Sequence, residues 1–129
     1  KPSWFRYKKL KSMQRLAQYT KPQLSHMPYL PLAKLFTHGQ ANMDYFNQIP
    51  TPSVVEIVRP NWNLKDKIGT NMNVSHMGIL LRLHHQLIYR EASLTEHKVI
   101  DIPLTEYLKQ YLDSPTIKGI HIEKMLRIA

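Results

Sequence analysis

The chain has 129 residues, 43% of them hydrophobic, enough for one globular domain and too few for two. It contains no cysteine, so neither a disulfide framework nor a thiol nucleophile comes from these residues, and no apolar run approaches the ~20 residues of a membrane span. Lys and Arg number 18 against 9 Asp and Glu, a formal charge of +9; the excess suits nucleic acid, an acidic membrane surface or an acidic wall polymer, or else solvates the surface, since the charges form no block.

Ser3–Tyr19 reads as a helix. Trp4, Tyr7, Leu10 and Met13 recur at three-residue steps, and Lys21-Pro22 stops the run. Pro22, Pro28, Pro31, Pro50 and Pro52 make the next stretch irregular, with short helices expected at Leu32–Thr37 and Ala41–Phe46. The β-branched run Ser53–Arg59 predicts a strand, Pro60–Asn73 a polar loop, and Val74–Ser93 a β-hairpin. Lys98–Ile102 predicts a further strand and Pro103–Asp113 a helix whose first residue is a well-tolerated proline. Lys118–Leu126 alternates Ile120 and Ile122 with His121 and Glu123 and predicts a last strand. The pattern defines an α+β domain over 1–129: a helical, proline-rich lead-in over 1–52, then an antiparallel sheet with one inserted helix over 53–129. The chain opens on Lys1 and shows no secretory leader; the expectation is that an upstream part has been removed.

The hairpin holds the most chemistry. Strand side chains alternate faces. Ser75, Met77, Ile79, Leu81 and Leu83 share one face, which is mostly apolar and is expected to point into the core. Val74, His76, Gly78, Leu80 and Arg82 share the other. If His84-His85 forms the turn, Leu83 pairs with Gln86, and Glu91 becomes a diagonal neighbour of His76, about 7–8 Å away along the backbone on the same face. A loop of odd length would separate the two, and His-His lacks the Asn or Gly that a type I′ turn favours.

The ordered runs IVRPNWNL, IGTNMNVSHMGILLR, LIYREAS, HKVIDIPLTEYLKQYL and SPTIKGIHI, between Ile49 and Ile122, resemble the N-acetylmuramoyl-L-alanine-amidase-like family, a bacterial branch of the NlpC-type, papain-like cysteine peptidases. The resemblance implies a papain-like antiparallel sheet with flanking helices. It also implies a cysteine at the start of an N-terminal helix that this chain does not contain. The family's Ser-His-x-Gly-Ile pattern falls on Ser75-His76-Met77-Gly78-Ile79, giving His76 the role of general base. Its His-Ala-Ser pattern falls on Glu91-Ala92-Ser93, where a carboxylate replaces the orienting histidine. Glu91 still meets that need, since it accepts the imidazole N–H and stabilises the imidazolium.

The implied reaction is hydrolysis of an amide in peptidoglycan or its muropeptides. A thiolate, supplied by an upstream segment of the same protein, attacks the carbonyl, and His76 moves the proton from thiol to leaving amine. Asn73, Ser75 and Arg82 are candidates to line the cleft. No cofactor is implied. His84, His85 and His97 are not expected to hold a metal, because adjacent histidines in a strand turn point apart and no cysteine assists. His26, His38 and His121 are scattered and suggest no role. The resemblance implies a bacterial periplasmic, envelope or secreted location. Two alternatives stand beside the hydrolase: a non-catalytic wall-binding module on the same fold and, ranked last, a basic nucleic-acid-binding domain, which lacks interleaved aromatic and basic residues on one strand face.

Overall fold

The computed structural model describes residues 26–126, so the helix expected over Ser3–Tyr19 lies outside the described residues. Its elements are β1 (Leu30–Pro31), α1 (Leu32–Leu35), β2 (Phe36–Thr37), β3 (Gln40–Ala41), α2 (Met43–Asn47), β4 (Ser53–Leu64), α3 (Lys65–Ile68), β5 (Thr70–Leu83), β6 (Gln86–Ser93), β7 (Lys98–Pro103), α4 (Leu104–Lys109) and β8 (Gly119–Lys124). A six-stranded sheet runs in the order β1-β8-β4-β5-β6-β7, and every neighbouring pair is antiparallel. β2 and β3 form a separate small hairpin. The architecture is α+β: a mostly antiparallel sheet with a few short helices.

One face of the sheet carries the core. Val55 and Ile57 of β4, Leu80 of β5, Leu87 and Tyr89 of β6 and Ile120 of β8 are buried there. Leu32, Leu35, Phe36, Phe46 and Ile49 of the lead-in pack onto them, as do Leu104, Tyr107 and Leu108 from α4. The lead-in is thus irregular but not peripheral. Its β1 extends the sheet against β8, and Leu32 N–H donates to Lys118 O at 2.8 Å.

Two expectations need correction. Residues 60–73 are not a loop. β4 continues to Leu64 and β5 begins at Thr70, so the two strands form a long arm that turns at α3. Pro60 survives inside this arm because it falls in an irregularity: Val58 pairs with Val74, the next pair is Trp62 with Met72, and residues 59–61 bulge out between them. Proline lacks the ladder's N–H and is tolerated where the ladder is already broken. The same irregularity holds Asn61 at φ 53°, with its N–H donated to Asn73 Oδ1 at 2.9 Å. The arm's polar composition reflects exposure rather than lack of structure.

The faces of β5 are also the reverse of the expectation. Met77 is 56% exposed and Ile79 38%, whereas Leu80 is fully buried. The face of His76, Gly78 and Leu80 therefore points toward the core, and the more apolar face points away from it. The covering elements, α4 and the lead-in, are far from β5 in sequence, and they lie on the Leu80 side.

Candidate active site

The site begins with a turn. His84 and His85 both take positive φ, 52° and 64°, and join Leu83 to the paired Gln86. These are the dihedral signs of a type I′ turn, whose twist matches the strands it joins. From there the β5–β6 ladder runs back to Ile79 paired with Arg90. This register puts Leu87, Tyr89 and Glu91 on the same face as Gly78 and His76.

On β5's other side, Ile57 pairs with His76 while the next residue, Val58, pairs with Val74. Ser75 is the extra residue of a β-bulge, a device that re-aims the side chains beside it. Here it keeps His76 on the core face while Val74 shares the outer face of Val58. His76 Nε2 makes a direct hydrogen bond with Glu91 Oε2. The imidazole is about one-third exposed and the carboxylate is nearly buried, their side chains being 35% and 9% accessible. An ionised carboxylate only accepts hydrogen bonds, so Nε2 carries the proton. In the neutral ring Nδ1 then holds the lone pair.

Tyrosines form the floor beneath this pair. The Tyr89 ring meets the His76 ring edge-on, with centroids 6.4 Å apart. Tyr107 packs on Tyr89 at 4.5 Å, and Tyr111 on Tyr107 at 5.4 Å. Gly78 makes this packing possible, because a Cβ there would stand 2.4 Å from Tyr89 Cε1 and 2.6 Å from Arg90 O. The glycine next to the histidine is thus the place where the Tyr89 ring crosses the strand. Burial, and then the charge of Glu91, pushes the Tyr89 phenol well above its ordinary pKa, so it stays neutral. Burial also raises Tyr107. Tyr89 Oη is buried beside Glu91 with no hydrogen-bond partner among the described residues. Period-two alternation puts Tyr89 on the face of Glu91 in the sequence, but the stacking of Tyr107 and Tyr111 behind it is not visible there.

The weaker site candidates fare differently. Arg82 lies six residues from His76, about 20 Å along an extended strand. Its Nη2 donates to the carbonyls of Phe46 at 2.9 Å and Ile49 at 2.8 Å, and it lines a separate cavity of about 150 Å³ with Phe46 and Leu87. It holds the end of α2 against β5 and does not reach the pair, which corrects its placement in the cleft. The Asn73 side chain is engaged by the Asn61 N–H. The nearest polar partner of the Ser75 hydroxyl is Ile57 O, at 3.5 Å. Arg90 faces the other way and forms a two-pronged pair with Asp101, at 2.7 and 2.8 Å. That contact holds the exposed Asp101 carboxyl below its ordinary pKa. His84, His85 and His97 belong to no metal-ligand cluster among the described residues.

The fold and this pair define a class: an antiparallel α+β domain that presents a carboxylate-held imidazole on its core-facing side. The family model for AmiA-like proteins, described as N-acetylmuramoyl-L-alanine amidase-like, matches residues 3–117, and the chain belongs to that family. Among solved structures it is similar to protein LPG0564 of Legionella pneumophila (37% identity, 98% of this chain and 42% of that one, TM-score 0.81). It is also similar to an N-acetylmuramoyl-L-alanine amidase of Bacteroides uniformis (26% identity, 91% and 42% coverage, TM-score 0.53). A Bacteroides fragilis protein titled a putative xylanase shares the fold at 24% identity, with 89% and 43% coverage and a TM-score of 0.54. No curated protein matches. The chain spans about two fifths of the length of the solved structures it resembles. No helix among the described residues is long and apolar enough to cross a membrane.

Proposed function

We propose that this chain supplies the histidine–carboxylate part of a cysteine-dependent amidase of the NlpC-type, papain-like branch, acting on amide bonds of bacterial peptidoglycan in the cell envelope. The single observation that carries the reading is the hydrogen bond between His76 Nε2 and the nearly buried Glu91. Membership of an amidase-like family supports the substrate class. In this reading a cysteine outside the 129 residues provides the nucleophile, since these residues contain none.

The roles follow from the tautomer. Glu91 accepts from Nε2 and stabilises positive charge on the ring, so Nδ1 is the atom that takes the thiol proton. The thiolate attacks the amide carbonyl, and the imidazolium returns the proton to the leaving amine. Water then releases the acyl group from sulfur with Nδ1 again as base. The Tyr89–Tyr107 floor and the Ser75 bulge keep the imidazole in one orientation. Asn73 and Ser75 act through the backbone geometry beside His76 and not on the reacting atoms.

The test uses the complete protein with its cysteine-bearing part and purified peptidoglycan. The wild type should release new amino groups. His76→Gln, whose amide N–H can still donate to Glu91, should remain folded and lose activity by at least ~100-fold, the lower range for a positioned acid–base group. Full activity in a folded His76→Gln protein rules the base assignment out. A wall-binding module without catalysis is the second reading, favoured by the net charge of +9, which suits an acidic wall polymer. It predicts co-sedimentation with peptidoglycan and no amine release even from the complete protein.

A further inference from the structure

The face of the sheet turned away from His76 carries a second group of chemically active side chains. In the β4–β8 ladder Glu56 pairs with His121, and Val54 with Glu123. Period-two alternation puts Glu56, His121 and Glu123 on that one outer face. One ligand-type atom from each lies within 4.8 Å of the others. His121 Nε2 stands 3.5 Å from Glu123 Oε1. Two ligands of a tetrahedral zinc ion, with bonds of roughly 2.1 Å, are separated by about 3.4 Å.

The imidazole is oriented from outside the cluster. His121 Nδ1 donates to the carbonyl oxygen of Pro28 at 2.6 Å. A carbonyl only accepts, so Nδ1 carries the proton, and Nε2 is the ring atom left facing the two carboxylates, with its lone pair free for a metal in the Nδ1–H tautomer. This is the arrangement in which metal-bound histidines are commonly held, with the second nitrogen donating to a backbone carbonyl. Three acceptors then converge. Among the described residues no conventional hydrogen bond from an N–H or O–H donor outside the trio reaches either carboxylate.

We propose that Glu56, His121 and Glu123 form a binding site for a divalent transition-metal ion of the zinc type. One imidazole nitrogen and two carboxylate oxygens suit such an ion better than Mg²⁺ or Ca²⁺, which take oxygen ligands. Three protein ligands leave one tetrahedral position for water. The ion would join β4 to β8 and, through His121, to the Pro28 segment that leads into β1. It lies on the opposite side of the sheet from His76, so it stands independently of the amidase reading and takes no part in that chemistry.

The experiment is calorimetric titration of the chelator-stripped protein with ZnCl2, repeated with CoCl2 to record the visible spectrum. One Zn²⁺ per chain is expected, together with the intense visible bands of four-coordinate Co²⁺. His121→Ala and Glu56→Gln should each weaken zinc binding at least tenfold, since even loss of an outer-shell partner costs 10–100-fold. His84→Asn/His85→Asn should leave it unchanged. Glu56→Gln is nearly isosteric and keeps the test valid should His121→Ala fail to fold. The proposal is overturned by absence of zinc binding. It is equally overturned by one-to-one binding whose affinity is unchanged in Glu56→Gln, or by imidazole NMR showing that His121 Nε2 keeps its proton when zinc is bound.

Discussion

Gly78→Ala tests the packing that supports the candidate site. The new methyl carbon would stand 2.4 Å from Tyr89 Cε1, 2.9 Å from Cζ and 2.6 Å from Arg90 O. Carbon atoms pack at about 3.5–4.0 Å, so the ring must retreat by more than ~1 Å. Tyr89 is fully buried, and Tyr107 packs on it at 4.5 Å, so the ring has little room to move. Arg90 O belongs to the adjoining strand and moves only with its ladder. Overpacking in such a place costs about 1–3 kcal/mol, and the two contacts together argue for the upper half of that range. With a urea slope of roughly 1–3 kcal/mol/M, the unfolding midpoint should fall by about 1 M. Urea unfolding followed by intrinsic fluorescence measures it. In the Tyr89→Leu background the penalty should shrink by about 1 kcal/mol, because the two positions are in contact. An unchanged midpoint for Gly78→Ala refutes the close-approach argument. An equal penalty in both backgrounds assigns the clash to Arg90 O and removes the ring from it.

Three further outcomes follow from named contacts. Arg82→Met removes the donor to the Phe46 and Ile49 carbonyls and should lower stability by about 2 kcal/mol, a typical cost for hydrogen bonds to a charged group. Thermal unfolding reads it, and faster amide exchange at residues 46–49 localises it. Replacing His84-His85 by Asn-Gly relieves two positive-φ histidines and should raise stability by about 1 kcal/mol without altering the register; a lower melting temperature would contradict the turn assignment. Glu56 has a raised pKa when folded. The folded state then binds more protons than the unfolded state, so stability falls as pH rises from the unfolded value through the folded one. In chelator, Glu56→Gln should therefore be more stable than wild type at pH 7 and lose that advantage below the unfolded carboxylate pKa, as urea midpoints at pH 3 and pH 7 would show.

Local pattern was enough to read the α+β class and the β5–β6 hairpin and, given a turn of even length, the sharing of one face by His76 and Glu91. These are local matters: side chains alternate along a strand, and an even-length turn preserves the phase between two strands. The ordered motifs around Ser75-His76 and Glu91-Ala92-Ser93 likewise carried the family. Which face of β5 is buried emerges from the packing of the other elements. Alternation sorts Met77 from Gly78 but does not say which side α4 and the lead-in will cover, and the covered side proved to be the less apolar one. The arm formed by β4 and β5 was equally illegible, because Pro60 and the polar residues around it signal a loop unless a bulge absorbs the proline. Tyr89 beneath His76, Arg82 bound to the carbonyls after α2, and His121 set between Glu56 and Pro28 all depend on contacts between segments remote in the chain. Such contacts are fixed by packing, which no single strand's periodicity encodes.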